Sequence, residues 1–163
     1  MKLEKQFESK ENNLYFLDGT QVNVRECSAI SAAEFNNGKI PSQNFFALAL
    51  NWTQIGCSEE TYNEEFLALL RDNLKLLEEK KYFVFIIPEA DSAISTEQEK
   101  EDFIASCKHC ARRIKDCISV AGFAVPQEVS AQNFMEELSA KHKHYTFFSK
   151  NSDLLQNGEI VAF

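Results

Sequence analysis

The sequence lacks a long apolar run and lacks the glycine-rich motifs that bind nucleotides. Its longest apolar runs, such as YFVFII at residues 82–87, are much shorter than the roughly 20 residues of a membrane-spanning helix. The patterns GxGxxG, GxxxxGK followed by Ser or Thr, and GxSxG do not occur. Nucleotide binding and serine-hydrolase chemistry therefore have no sequence support. We expect no membrane partner and no cofactor.

Positive charge is also scarce. The chain has 17 Lys and Arg residues against 25 Asp and Glu residues, a net charge of -8 and a pI near 5.0. Nucleic acids and anionic membrane surfaces attract basic patches, so neither is an expected partner. The first residues, MKLEKQFESKENN, carry charges throughout and contain no apolar stretch of the kind found in a signal peptide. We therefore expect a cytoplasmic protein.

The length of 163 residues is typical of one domain with a proper core. We expect a single α/β domain over residues 1–163, in which residues 1–13 form a flexible arm. Asp18-Gly19 lies between two strand-like runs, LYF and QVNV, which is the signal of a two-residue β-hairpin turn. The sequence therefore predicts an N-terminal hairpin.

Further along the chain, buried strands alternate with amphipathic helices. Such alternation is typical of βαβ units, so we expect a mainly parallel sheet that resembles a half or partial TIM barrel. Thr61, Ser95 and Ser130 are suitable residues for the starts of the three helices. The predicted strands are NFFALALNW, YFVFII, SVAGFAV and HYTFFS, with a short last strand in EIVAF, and the predicted helices begin near residues 62, 96 and 131.

The spacing of some cysteines and histidines could indicate a metal site or a redox-active pair. The CKHC stretch at residues 107–110 has the spacing of a redox pair, but it lies in the middle of a predicted helix rather than at its start. Cys107, Cys110 and Cys117 share the apolar stripe of that helix, which favours core cysteines that behave as small hydrophobic residues. A zinc site needs four converging ligands, so we expect no metal. His142 and His144 are interpreted as a solvated pair.

Polar residues follow the predicted strands at the edge where α/β proteins bind ligands. A lone Trp beside carboxylates suits a carbohydrate site, because the aromatic ring stacks on a sugar and the acids act on the glycosidic bond. The alternative is that these are the ordinary polar strand ends of any α/β protein. The residues concerned are Asn51, Trp52 and Thr53, then Pro88, Glu89 and Asp91, then Gln127 and Glu128, and finally Ser149 and Asn151.

Three stretches resemble the N-terminal half of a cellulase-like, family 5 glycoside hydrolase barrel. They are FLDGTQVNVREC, EEFLALLRDNLKLLEEKKYFVFII and ARRIKDCISVAGFAVPQEV. The resemblance implies that Glu128 occupies the acid/base position and that Gln127 replaces the preceding Asn. The sequence departs from the family at Val129, where the family has Pro. The family nucleophile comes from a later strand, and this chain ends before the corresponding point.

Two hypotheses of function follow. The first is a non-catalytic or degenerate glycoside-hydrolase-like protein that acts by self-association, as a dimer, or by binding a partner or ligand. The second is a carbohydrate-active hydrolase with Glu128 as general acid and Glu89 as the second carboxylate. In that case Trp52, Asn51, Asp91 and Gln127 bind a carbohydrate. The altered motif and the early end of the resemblance favour the first hypothesis.

Overall fold

The computed structural model describes residues 3–163, and its first element is a small antiparallel sheet. This sheet contains β1 (Phe7–Lys10), β2 (Asn13–Phe16) and β3 (Gln21–Val22) in that order. The predicted hairpin is confirmed, but its turn is longer than two residues. The backbone N–H of Phe16 donates to the Thr20 carbonyl at 2.8 Å, so residues 17–19 form the loop. Gly19 closes the loop with φ 92°, a left-handed conformation that favours glycine.

The N-terminal segment differs from the flexible arm expected over residues 1–13. Residues 7–10 form a strand, and Phe7 is only 3% exposed. The segment is mostly polar, but its Phe7 packs into the core. Residues 1–2 lie outside the described part of the chain.

The second sheet is parallel throughout, and its strand order follows the chain order. This confirms the α/β class and the mainly parallel sheet, and it is the strand order of a partial βα barrel. The strands are β4 (Ala29–Ser31), β5 (Phe45–Asn51), β6 (Phe83–Glu89), β7 (Val120–Ala124), β8 (Thr146–Ser149) and β9 (Val161–Ala162). The helices are α1 (Ala32–Asn36), α2 (Trp52–Ile55), α3 (Glu64–Lys80), α4 (Glu97–Arg113) and α5 (Ala131–Ser139), with a 3₁₀ turn at Leu154–Gln156.

Helix starts agree only partly with the capping residues that the sequence suggested. Ser130 caps α5 as predicted. The caps of α3 and α4 are instead Asn63 and Thr96, two residues after Thr61 and one residue after Ser95. Capping residues are common in loops, so their side chains alone do not determine which of several neighbours begins the helix.

The helices cover one face of the parallel sheet. Right-handed crossovers between strands that follow one another in order place every helix on the same side. The main core lies in this layer, and α3 contributes a buried stripe of leucines. The members of that stripe are Leu67, Leu70, Leu74 and Leu77, which face residues of β5 and β6 such as Phe46, Leu48, Val84 and Ile86.

The small antiparallel sheet contributes to the core on the opposite face of the parallel sheet. Phe7 and Leu14 from the small sheet pack with Phe45, Phe85 and Phe148 in a second core cluster. The Phe85 and Phe148 rings stack with centroids 4.2 Å apart. The protein therefore has three layers, and the face that would line the inside of a barrel is filled by the chain itself. Among residues 3–163, no helix has the length and hydrophobicity needed to cross a bilayer.

Candidate functional site

A groove of about 350 Å³ lies at the carboxyl ends of β6, β7 and β8. It brings together two of the carboxylates singled out from the sequence, Glu89 and Glu128, with Gln127 beside them. The groove also contains Lys150 and Phe163. The strand-end rule for parallel sheets accounts for this meeting, because the carboxyl ends of neighbouring parallel strands lie at the same edge.

Strand alternation explains why Glu89 lies on the inner side of this edge. Phe83, Phe85 and Ile87 pack in the inner core cluster, and alternate residues of a strand share a face. Glu89 continues that series and is exposed where β6 ends. Gln127 is also exposed, just after the buried residues that end with Pro126. Of the two carboxylates of the groove, Glu89 is the last residue of β6, and Glu128 lies in the turn that follows β7.

Lys150 and Phe163 are the residues of the groove that sequence reasoning missed. The Lys150 ammonium lies 5.0 Å from the centroid of the Phe163 ring, within the range of a cation–π interaction. Phe163 also contacts Phe85 edge-on, with centroids 5.1 Å apart. Lys150 comes two residues after the inner-facing Phe148, so the same alternation predicts its side. Phe163 follows the two-residue strand β9, which gives too short a pattern to assign a face from sequence.

Trp52 does not lie in the groove. It is 5% exposed, its ring packs edge-on against Phe103 at 5.1 Å, and its indole N–H donates to Ser106 Oγ at 3.0 Å. Ser106 Oγ in turn donates to the Gly56 carbonyl at 2.8 Å. This hydrogen-bonded chain anchors α2 to α4. The sugar-stacking role expected for Trp52 does not fit, because stacking requires an exposed ring face.

Asn51 and Asp91 lie near the groove without lining it. Asn51 is the register partner of Glu89 across β5 and β6, and its backbone N–H donates to Gln54 Oε1 at 2.9 Å. Asp91 accepts a hydrogen bond from Thr53 Oγ1. Asp91 therefore ties the loop after β6 to α2, and Asn51 forms the entrance to α2. Both residues therefore stabilise the loops at the carboxyl ends of β5 and β6.

Carboxylates crowd around this edge of the sheet. Burial is the main cause of the raised pKa of the Cys57 thiol, and the nearby charges of Asp91 and Asp102 raise it further. The connections that enter the opposite ends of the strands are rich in lysine instead, at residues 80, 81, 115, 141 and 143. The acids of the loops and first two helical turns that follow β5, β6 and β7, here called the acidic rim, are Glu59, Glu60, Glu64, Glu65, Glu89, Asp91, Glu97, Glu99, Glu101, Asp102 and Glu128.

The cysteines of α4 and of the connection after it belong to the core, as predicted. Cys107, Cys110 and Cys117 are completely buried. Burial raises the pKa of the Cys107 thiol well above its usual value, and it raises the pKa of Cys110 and Cys117 to about 12. These thiols therefore stay protonated at neutral pH and pack as small apolar groups. Within residues 3–163, no three His, Cys, Asp or Glu side chains are grouped as a metal site.

The histidines before β8 are not the solvated pair expected from the sequence. His142 is only 9% exposed, and the rings of His142 and His144 lie 6.3 Å apart beside buried Tyr145. Burial, and to a smaller extent the neighbouring His142, lowers the pKa of His144 to about 4. Burial is also the main cause of the lowered pKa of His142. Both rings are therefore neutral at pH 7, where they pack at the end of the sheet opposite the groove.

His109 holds the loop before α3 against α4. Its ring stacks on Tyr62 with centroids 4.0 Å apart, and its Nε2 contacts Glu64. Arg113 Nε lies 3.0 Å from the other carboxylate oxygen of Glu64. One carboxylate thus joins two residues of α4 to the first turn of α3. We interpret these contacts as structural, because they hold the loop before α3 against α4.

Neither a protein-family model nor a curated protein matches this chain. The resemblance to family 5 glycoside hydrolases therefore rests on the three sequence stretches alone.

Proposed function

We propose that this protein is a non-catalytic binding protein that recognises a basic surface of a partner protein through its acidic rim. The observation that carries the proposal is the separation of charge between the two ends of the parallel sheet. The loops and first turns that follow β5, β6 and β7 hold most of the excess negative charge. Two lysines lie at the same edge. Lys100 is paired, since its Nζ lies 3.0 Å from Glu97 Oε1, and Lys150 in the groove lies over the Phe163 ring.

The filled inner face also favours binding over catalysis. In a βα barrel the active site opens above the packed interior, where loops from all strands converge. Here the small antiparallel sheet covers the inner face, with Phe7 and Leu14 in its core. The groove at the strand ends is consequently an open surface feature, which suits contact with a protein surface.

Charge of one sign concentrated on one surface speeds association with an oppositely charged partner. The same field repels nucleic acid and anionic lipid. The helix dipole explains part of the pattern, because acids stabilise the first turns of α3 and α4. It does not explain Glu89 or Glu128, which lie outside those turns.

A labelled oligolysine peptide tests the proposal directly. We expect the peptide to bind, and we expect Glu89→Lys combined with Glu128→Lys to weaken binding by about tenfold, or about 1.4 kcal/mol. Raising the ionic strength from about 0.01 M to about 0.1 M shortens the Debye length from about 30 Å to about 10 Å, so affinity should also fall with salt. Fluorescence anisotropy measures both effects.

The matched control reverses two acids away from the rim. Glu8 lies on β1 and Glu136 lies in the second half of α5, and both are exposed. Glu8→Lys combined with Glu136→Lys changes the net charge by the same amount. Equal weakening by the two double variants would mean that binding follows net charge and would contradict a role of the rim.

A carbohydrate-active hydrolase is the second candidate, and one observation favours it. Glu89 and Glu128 line the same groove, as a pair of catalytic carboxylates must. Glu128 would then act as general acid and Glu89 as the second carboxylate, with Gln127 among the groups that bind the carbohydrate.

Reducing-end release from a panel of β-linked oligosaccharides separates the two candidates. For a binding protein we expect no release by the wild type or by Glu128→Gln. Release that the wild type performs and Glu128→Gln loses would favour the hydrolase, since the amide cannot donate the proton. Release that survives in Glu128→Gln would contradict the role of Glu128 as general acid.

A further inference from the structure

We propose that a second copy of this chain packs against the outward face of α3, antiparallel to it and related by a two-fold axis. Two leucines stand out on this face, Leu69 at 47% exposure and Leu76 at 57% exposure. They are one heptad apart and therefore lie on the same side of the helix. The residues of this face, here called the α3 strip, are Glu65, Leu69, Asp72, Asn73, Leu76 and Lys80.

The α3 strip lies on the side of the helix away from the core. The buried stripe of α3 includes Leu70, Leu74 and Leu77, whereas Glu65, Asp72 and Lys80 are exposed. The apolar face of α3 that the fold requires is therefore already buried in the core. The two leucines of the strip are additional apolar residues that remain exposed to solvent. Such surface gains free energy on association, at roughly 25 cal/mol per Å² of apolar area.

The residues of the strip are arranged so that two copies of the helix, running in opposite directions, present complementary side chains to each other. The positions 65, 69 and 72 mirror the positions 80, 76 and 73 about the middle of the helix. An antiparallel second copy thus places Glu65 opposite Lys80, Leu69 opposite Leu76, and Asp72 opposite Asn73. Glu65 and Lys80 form a charge pair, and the leucines meet each other. Asn73 is half-buried and its Nδ2 already donates to Asn36 Oδ1 at 3.4 Å, which leaves one amide hydrogen for Asp72. A parallel copy would instead place Glu65 against Glu65.

This symmetry points to a second copy rather than to an unrelated partner. In a two-fold interface each contact occurs twice, so a surface must be complementary to itself. The exposed sheet edges offer less for self-association. At β9, the backbone N–H of Ala162 already donates to the Asn12 carbonyl at 3.0 Å, and Asn12 Nδ2 donates to the Ile160 carbonyl at 2.7 Å. The other edge strand, β4, has three residues.

The size of the contact sets the strength to expect. A helix of 17 residues is about 25 Å long at 1.5 Å per residue, so two such helices bury less than the roughly 1,600 Å² of a standard interface. We therefore expect a reversible dimer with a dissociation constant on the order of 10 to 100 µM. The strip shares Glu65 with the acidic rim but contains neither Glu89 nor Glu128. Leu69→Lys leaves every acid of the rim in place, so it tests the dimer separately from the binding of a basic partner.

Sedimentation equilibrium of the full chain from about 1 µM to about 1 mM tests the dimer. We expect the wild type to pass from monomer to dimer and Leu69→Lys to remain a monomer throughout the range. Leu17→Lys is the matched control, because Leu17 is 59% exposed in the hairpin loop, and it should dimerise like the wild type. Circular dichroism confirms that each variant is folded. A wild type that remains monomeric, or a Leu69→Lys variant that dimerises normally, would overturn the proposal.

A charge exchange tests the antiparallel register. Glu65→Lys alone and Lys80→Glu alone each place like charges opposite one another, so each should weaken the dimer about threefold to tenfold. The combination of both substitutions restores opposite charges and should recover the dissociation constant of the wild type. No recovery in the double variant would contradict the antiparallel pairing. A parallel pairing places like charges together in the wild type as well as in the three variants, so single variants that dimerise like the wild type would also contradict the antiparallel pairing.

Discussion

Gly122→Ala is expected to destabilise the fold by more than about 4 kcal/mol, an effect outside the range of most single substitutions. A Cβ atom at Gly122 would lie 1.6 Å from the carbonyl oxygen of Thr146 and 2.6 Å from its carbonyl carbon. These are backbone atoms of the paired strand β8, and Gly122 and Thr146 are register partners. They cannot yield without separating β7 from β8 in the middle of the core.

The measurement is urea denaturation, together with the soluble yield of the variant. Net stabilities of domains are about 5 to 15 kcal/mol, so a loss of this size leaves little or no cooperative transition. Gly158→Ala is the matched control. Its Cβ would meet nothing closer than 3.4 Å, at the backbone nitrogen of Glu11, and we expect a change within about 1 kcal/mol. A Gly122→Ala protein with the midpoint of the wild type would contradict the close packing of β7 and β8.

The parts of the fold that were predictable from sequence are those in which a local pattern is enough. Leu70, Leu74 and Leu77 recur at helical spacing and are buried in α3. The apolar run around residues 45–50 forms the almost entirely buried strand β5. In contrast, β4 has three residues and α1 has five, which is too few for a period to be visible. The sequence reading missed both for that reason.

The residues of the candidate site also fall into those that a local rule explains and those that depend on contacts between distant segments. The strand-end rule explains why Glu89, Gln127 and Glu128 line one groove, because parallel strands end at a common edge. The rule failed for Trp52, whose burial depends on Ser106, a residue 54 positions away on α4. Phe163 was missed because only the pairing of β9 with β8 brings the last residue to the groove. Contacts between distant segments have no local signature in a single sequence.

Phe7→Ala is expected to lower the free energy of unfolding by about 3 to 5 kcal/mol, the usual cost of removing a buried aromatic ring. Phe7 is 3% exposed. Its ring centroid lies 5.1 Å from those of Phe16 and Phe83, and 6.4 Å from that of Phe45. Removing the ring leaves a cavity between the two sheets and loses the edge-on contact with Phe83. Urea denaturation measures the loss.

The same substitution distinguishes a structural layer from a flexible arm. If the small antiparallel sheet is part of the core, Phe7→Ala should also expose the inner face of the parallel sheet, including Phe45 and Phe85, and increase binding of a hydrophobic dye. Leu17→Ala removes an exposed apolar side chain from the same small sheet and should change stability by less than about 0.5 kcal/mol. A loss as small as this for Phe7→Ala would mean that the segment is an arm and that the inner face is available to a ligand.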